Sequence, residues 1–185
     1  MHRAAPSQAF DVLALTGTTA QLDVLQAVLD ELPQALSVAL IVTASPLLVG
    51  ALGSRLRWPL RPVEAGEAPV SGHVYLCPPD TVVDVGRDGC WARRPARGEA
   101  SPSDRLLASL AAHYGARALA VVLSSAGDDG AAGAQAIIGA GGTVLAQRPD
   151  GPTGQLGRAA AALIGGRLEG MQDTSRALFD AIDEG

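Results

Sequence analysis

Apolar residues in this chain fall into short unbroken runs, and between them lie stretches where they recur every three or four positions. The first run, Asp11 to Thr16, ends at Gly17 and predicts a strand. From about Ala20 to Leu32 the residues Val24, Leu25, Val28, Leu29 and Leu32 keep the spacing of one helix face. Thr18 or Thr19 would cap that helix, and Pro33 lies just past its end. Leu36 to Thr43 is again continuous and rich in β-branched residues, the pattern of a parallel strand buried on both faces. Pro46 opens a second helix, predicted to reach about Arg57.

From Pro59 to Val85 the texture is broken by proline and glycine. Val74–Cys77 and Thr81–Val85 flank Pro78-Pro79-Asp80, which predicts a β-hairpin inserted between the regular layers. Ala92 to Pro102 is polar, aperiodic and holds Arg93, Arg94 and Arg97, so it reads as a solvated surface loop. Regular alternation then resumes. A helix is predicted for Ser103–Tyr114, a strand for Arg117–Ser124, a helix for Ala131–Ala140 and a strand for Thr143–Gln147. Helices over Gln155–Ile164 and Asp173–Ile182 complete the series. Such alternation predicts an α/β fold, a doubly wound and mainly parallel sheet with helices on both faces. The expected organisation is a flexible tail over residues 1–10 and a single domain over 11–185, with no internal repeat.

Composition narrows this picture. Nearly half of the 185 residues are apolar but few are aromatic, so Ala, Val, Leu and Gly must build the core. A net charge of -5 offers no general attraction to nucleic acid or to anionic lipid. No run approaches the length needed to span a bilayer, and the amino terminus lacks the apolar segment of a secretion signal. Cys77 and Cys90 form no CxxC, and two reduced thiols in a cytoplasmic protein are expected.

Ligands of doubly wound sheets bind beyond the carboxyl ends of the strands. Three such ends carry polar or turn residues: Gly17-Thr18-Thr19, Thr43-Ala44-Ser45, and Ser124 to Gly130. A hydrolase would place a nucleophile at the first end, a general base at a second and an orienting carboxylate at a third. Thr18, Ala44 and Asp129 stand there, so the base position is empty. Other motifs are missing: Gly17-Thr18-Thr19 is not GxGxxG, and no GxxxxGK[ST] occurs. His2, His73 and His113 fall in the tail, a turn and a helix, with no metal-ligand spacing, and no metal is expected.

Four segments resemble, in order and with similar spacing, the catalytic domain of CheB-type protein-glutamate methylesterases. Leu13 to Pro33 (LALTGTTAQLDVLQAVLDELP) is similar to that family's strand, Gly-x-Ser-x-Gly-Gly turn and helix. Ser71 to Asp80 (SGHVYLCPPD) resembles its Pro-Gly-x-x-Tyr-x-Ala-Pro segment. Leu119 to Gly133 (LAVVLSSAGDDGAAG) looks like its strand ending in Leu-Thr-Gly-Met-Gly-x-Asp-Gly, and Gly139 to Gln147 (GAGGTVLAQ) like its Ala-Gly-Gly strand entry. The resemblance spans about Asp11 to Ile182.

The resemblance implies hydrolysis of glutamate methyl esters on chemoreceptor helices by a Ser-His-Asp triad without a cofactor. By position the Asp becomes Asp129, the Ser becomes Thr18 and the His becomes Ala44. Thr19 and Ala126 fall at oxyanion or binding positions, and Ala126 stands where the family has a methionine whose backbone amide serves that site. Ala20-Gln21 replaces the Gly-Gly after the nucleophile, and Gly154 to Gly157 (GQLG) replaces a later Gly-Met-Pro. The expectation is therefore a degenerate methylesterase domain that binds chemoreceptor or other chemotaxis-array proteins as a regulatory module. The alternatives are an active methylesterase, or a structural domain whose Arg93-Arg94-Arg97 segment meets an acidic partner. The phosphorylatable receiver domain that usually precedes this family's domain is not expected here, because the first strand begins within about ten residues of Met1.

Overall fold

The computed structural model describes residues 9–17, 22–43, 46–77, 80–98, 101–123, 130–146 and 154–164. Six strands form one sheet: β1 (Val12–Thr16), β2 (Ala39–Thr43), β3 (Leu60–Arg61), β4 (Val74–Cys77), β7 (Ala118–Val122) and β8 (Thr143–Ala146). Their spatial order is β3-β4-β2-β1-β7-β8, and every pairing is parallel. Residues of β1 and β2 are buried without exception, as expected of central strands covered on both faces. At the two edges, β3 and β8 are partly open.

Helices close both faces. On one side α1 (Leu22–Glu31), α2 (Pro46–Gly53) and α5 (Gly154–Ile164) bury Leu25, Val28, Leu29, Leu52 and Ala160 against Leu13, Leu15, Leu40 and Val42. On the other, α3 (Pro102–Tyr114) and α4 (Ala131–Gly139) bring Leu106, Leu107, Leu110, Ala134 and Ile137 against Val12, Ala14, Ile41 and Ala120. Alternate residues of each central strand thus feed alternate layers, the period-two consequence of the strand pleat. The sequence-predicted α/β class and the two helical layers are present.

A separate two-stranded antiparallel sheet pairs β5 (Thr81–Val85) with β6 (Trp91–Pro95). This corrects the expected hairpin. Val74–Cys77 does not pair with Thr81–Val85; it lies in the main sheet between β2 and β3. Pro78 and Pro79 supply no N–H donors, which disfavours a direct return in an antiparallel ladder. The true partner of β5 comes from the segment expected to be a solvated loop. Trp91, buried and 5.1 Å in ring-centroid distance from Tyr75, anchors it to the core. Its neighbours Ala92, Arg93, Arg94 and Pro95 are exposed, which is why apolar periodicity did not show it.

Two helix ends also differ from expectation. α2 stops at Gly53 rather than near Arg57. The Arg57 guanidinium turns back to donate to the Leu29 and Asp30 carbonyls of the last turn of α1 at 2.8 and 2.9 Å, the first of which also accepts the Leu32 amide at 3.2 Å. Beside it, Trp58 Nε1 donates to the Gln34 carbonyl at 2.9 Å. The short strand β3 was not anticipated, and a 3-10 turn at Gly115–Arg117 precedes β7. The helix expected over Asp173–Ile182 lies outside the described residues.

Candidate functional site

The strand order reverses direction between β1 and β7: from β1 the chain proceeds outward through β2 to β4 on one side, and later through β7 to β8 on the other. A crevice at the carboxyl ends of the strands is the usual consequence of such a switch. In register, Thr16 ends β1 beside Val122 of β7, and Thr43 ends β2 beside Cys77 of β4. The Leu123 amide donates to the Thr16 carbonyl at 2.8 Å, so the β1–β7 pairing persists to the rim.

On the α3/α4 side this rim is held by one carboxylate. Asp104, in the first turn of α3, accepts the Gly130 amide at 3.0 Å and the Gly133 amide at 2.7 Å, both on Oδ1. These are donors at the start of α4, where a helix has no carbonyl of its own to offer. Both glycines are required by the geometry. Gly130 has φ +102°, a left-handed conformation that side chains rarely adopt. A Cβ on Gly133 would stand 2.6 Å from the Leu107 Cβ and 2.9 Å from the Asp104 Cα, so α3 and α4 touch backbone to side chain there.

The residues singled out from sequence, Thr18, Thr19, Ala44, Ala126 and Asp129, lie outside the described residues. Thr18, Ala44 and Asp129 each have one described chain neighbour. Gly17 precedes Thr18 at the end of β1, Thr43 precedes Ala44 at the end of β2, and Gly130 follows Asp129 at the start of α4. Those three anchors belong to one rim: β1 and β2 are adjacent, and a Cβ on Gly130 would lie 3.6 Å from Thr16 Oγ1. Sequence reasoning missed Asp104, whose acceptor role is visible only once α3 and α4 are side by side. It also passed over Thr16, and it placed Thr43 at a strand end without giving it a role, though a hydroxyl at the end of each apolar run was there to be seen.

Other chemistry is sparse. Burial pushes the Cys77 thiol up to about 12, so it stays protonated at neutral pH. Cys90 is half-buried and free. His73 bonds the Ser71 carbonyl and His113 packs on Gly89 and Tyr114, both away from the strand ends. Among the described residues no three His, Cys, Asp or Glu side chains gather as metal ligands, and no helix is long and apolar enough to cross a membrane.

Comparison with known proteins places this geometry in context. The family profile of the CheB methylesterase matches residues 13–160. Over 146 residues the chain is 34% identical to protein-glutamate methylesterase/protein-glutamine glutaminase 4 of Myxococcus xanthus, covering 74% of this chain and 41% of that protein. A similarly named protein of Paramagnetospirillum magneticum is 36% identical over 111 residues, covering 57% of this chain and 29% of its own. The chain thus spans less than half the length of these relatives. Among solved structures, the CheB methylesterase catalytic domain of Thermotoga maritima superposes with a TM-score of 0.68 at 20% identity. That match covers 85% of this chain and 98% of the other, and it shows a shared fold.

Proposed function

We propose, from the premise that this chain belongs to the CheB methylesterase family, that it serves chemotaxis-type signalling as a receptor-binding, regulatory module with little esterase activity. The observation that carries the reading is Ala44, which takes the place of the family's histidine immediately after β2 ends at Thr43. Alanine accepts no proton, and removal of a triad base costs ~10⁴ to 10⁶-fold in rate. Thr18 in place of the family's serine keeps a hydroxyl but adds a methyl group beside it. Asp129 keeps the family's carboxylate with no histidine to orient, and an Asp-Gly step before a helix is a sufficient structural use for it.

The binding partner in this reading is a chemoreceptor cytoplasmic helix or another protein of the same array, met in the cytoplasm, with no cofactor involved. The test is methanol release from methylated chemoreceptor fragments, comparing the native chain with a Thr18→Ser/Ala44→His double variant. A silent native chain that still binds the fragment, beside a double variant that turns over, is the expected result. Multiple turnover by the native chain would overturn the reading and favour an active methylesterase, the activity that the relatives' names state.

A further inference from the structure

The two edges of β6 are used differently. One pairs with β5 in antiparallel register, Val85 opposite Trp91, Val83 opposite Arg93 and Thr81 opposite Pro95. On the other edge the Trp91 amide donates to the Glu67 carbonyl at 2.7 Å, and the Trp91 carbonyl accepts the Gly66 amide at 2.9 Å. Residues of an antiparallel strand alternate between turning their main-chain groups towards the partner strand and away from it. Arg93, two positions after Trp91, therefore turns its amide and carbonyl to the same outer edge, and Pro95 its carbonyl. The Ala96 amide on the Asp80 carbonyl at 2.8 Å keeps this alternation to the end of the ladder. The turn over residues 64–67 serves Trp91, but among the described residues no backbone group bonds the outward groups of Arg93.

Charge decides what can lie there. Residues 91–98 hold Arg93, Arg94 and Arg97 and no acidic residue, in a chain whose net charge is -5. Arg93 and Arg97 are exposed, and the Arg93 guanidinium donates to the neutral Val63 carbonyl at 3.3 Å. Among the described residues neither is ion-paired, unlike Arg61 with Glu67 and Arg105 with Asp84. We propose that the outer edge of β6 docks an extended acidic segment of another protein, which adds as a strand beside Arg93 and sets carboxylates against Arg93 and Arg97. In strand addition the main-chain bonds hold the segment and the side chains select it. A second copy of this chain is a poor occupant, because two-fold pairing of the same edge would set arginine against arginine. Nucleic acid would meet the negative field of the whole chain and could not use the open amide and carbonyl as a ladder. Pro95 has no N–H, so the edge is short and the carboxylates must supply much of the affinity. The surface works equally whether or not the chain hydrolyses esters.

The test titrates the isotope-labelled full chain, followed through its amide NMR spectrum, with a peptide of alternating Glu and Thr. Its Lys-Thr counterpart and a fully N-methylated Glu-Thr peptide are the controls. The expected result is a shift of the Arg93 amide with the Glu-Thr peptide, and binding at least about tenfold weaker for both controls. Arg93→Gln/Arg97→Gln is expected to weaken binding at least about tenfold while the amides of the main sheet keep their positions. Arg93→Lys/Arg97→Lys keeps the charge and is expected to stay within about threefold of the native chain. Raising the salt from about 50 to about 300 mM should weaken the complex severalfold. An Arg93 amide that does not move would overturn the proposal. Equal affinity for the N-methylated peptide would do so too, by showing attraction between charges without an added strand, as would tighter binding of an oligothymidylate than of the Glu-Thr peptide.

Discussion

Asp104 stands in the first turn of α3, yet the amides it accepts belong to residues 26 and 29 positions further along the chain. Both converge on a single oxygen, so the contact depends on an acceptor at that point more than on the second carboxylate oxygen. Asp104→Ala leaves two helix-start amides without their partner and is expected to cost about 1–3 kcal/mol in urea unfolding. Asp104→Asn can present its amide oxygen to the same two donors and is expected to lose less than about 1 kcal/mol. An alanine variant as stable as the native chain would contradict the role assigned to this carboxylate. No pattern in the sequence foretells it: Asp104 looks like an ordinary acidic residue in the first turn of a helix. The residues at the strand ends were legible in kind, as turn-forming and hydroxyl side chains after apolar runs. That Thr16 and Thr43 would be sealed from water side by side needed the register of β1 on β2.

At the level of elements, the α3–α4 contact turns on Gly133. Alanine is the better helix former by ~1 kcal/mol, but here its methyl group would meet the Leu107 Cβ and the Asp104 backbone at 2.6 to 3.0 Å. Overpacking of that kind costs about 1–3 kcal/mol, so Gly133→Ala is expected to lower the thermal midpoint. Gly139, at the far end of the same helix, has open space where a methyl group would stand, with nothing within 4 Å, and Gly139→Ala is expected to raise it. Measuring both by calorimetry separates packing from propensity; the two shifts should have opposite signs. The helices and central strands were legible because their burial is one-sided or complete, which imposes a clear period. β6 was not, since a single buried residue, Trp91, holds a strand whose other members are exposed. β4 was found but given the wrong partner, because an apolar run reports burial without saying which neighbour covers it.

The whole molecule should weaken in alkali. Burial raises the Cys77 thiol from 9.0 to about 12, and burial followed by the nearby Asp11 charge raises the Tyr114 phenol above 10.0. Both groups release their protons more readily when the chain is unfolded. Their contribution is therefore complete below about pH 9 and is lost as pH rises towards 12. Urea midpoints should be lower at about pH 10 than at about pH 8, and a thiol reagent at about pH 8 should modify half-buried Cys90 well before Cys77. A flat profile across that interval would mean that Cys77 is open to solvent. The central position of β1 has a further consequence, in time. Its partner β2 follows within about thirty residues, whereas β7, on its other side, arrives only after about a hundred. Closing the longer loop costs ~1 kcal/mol more in chain entropy. During synthesis the amino-terminal half can pair as soon as it emerges, while the rim between β1 and β7 must wait for most of the chain. That rim is thus among the last parts of the protein to exist, and a nascent chain halted before Ala118 would hold a sheet without it.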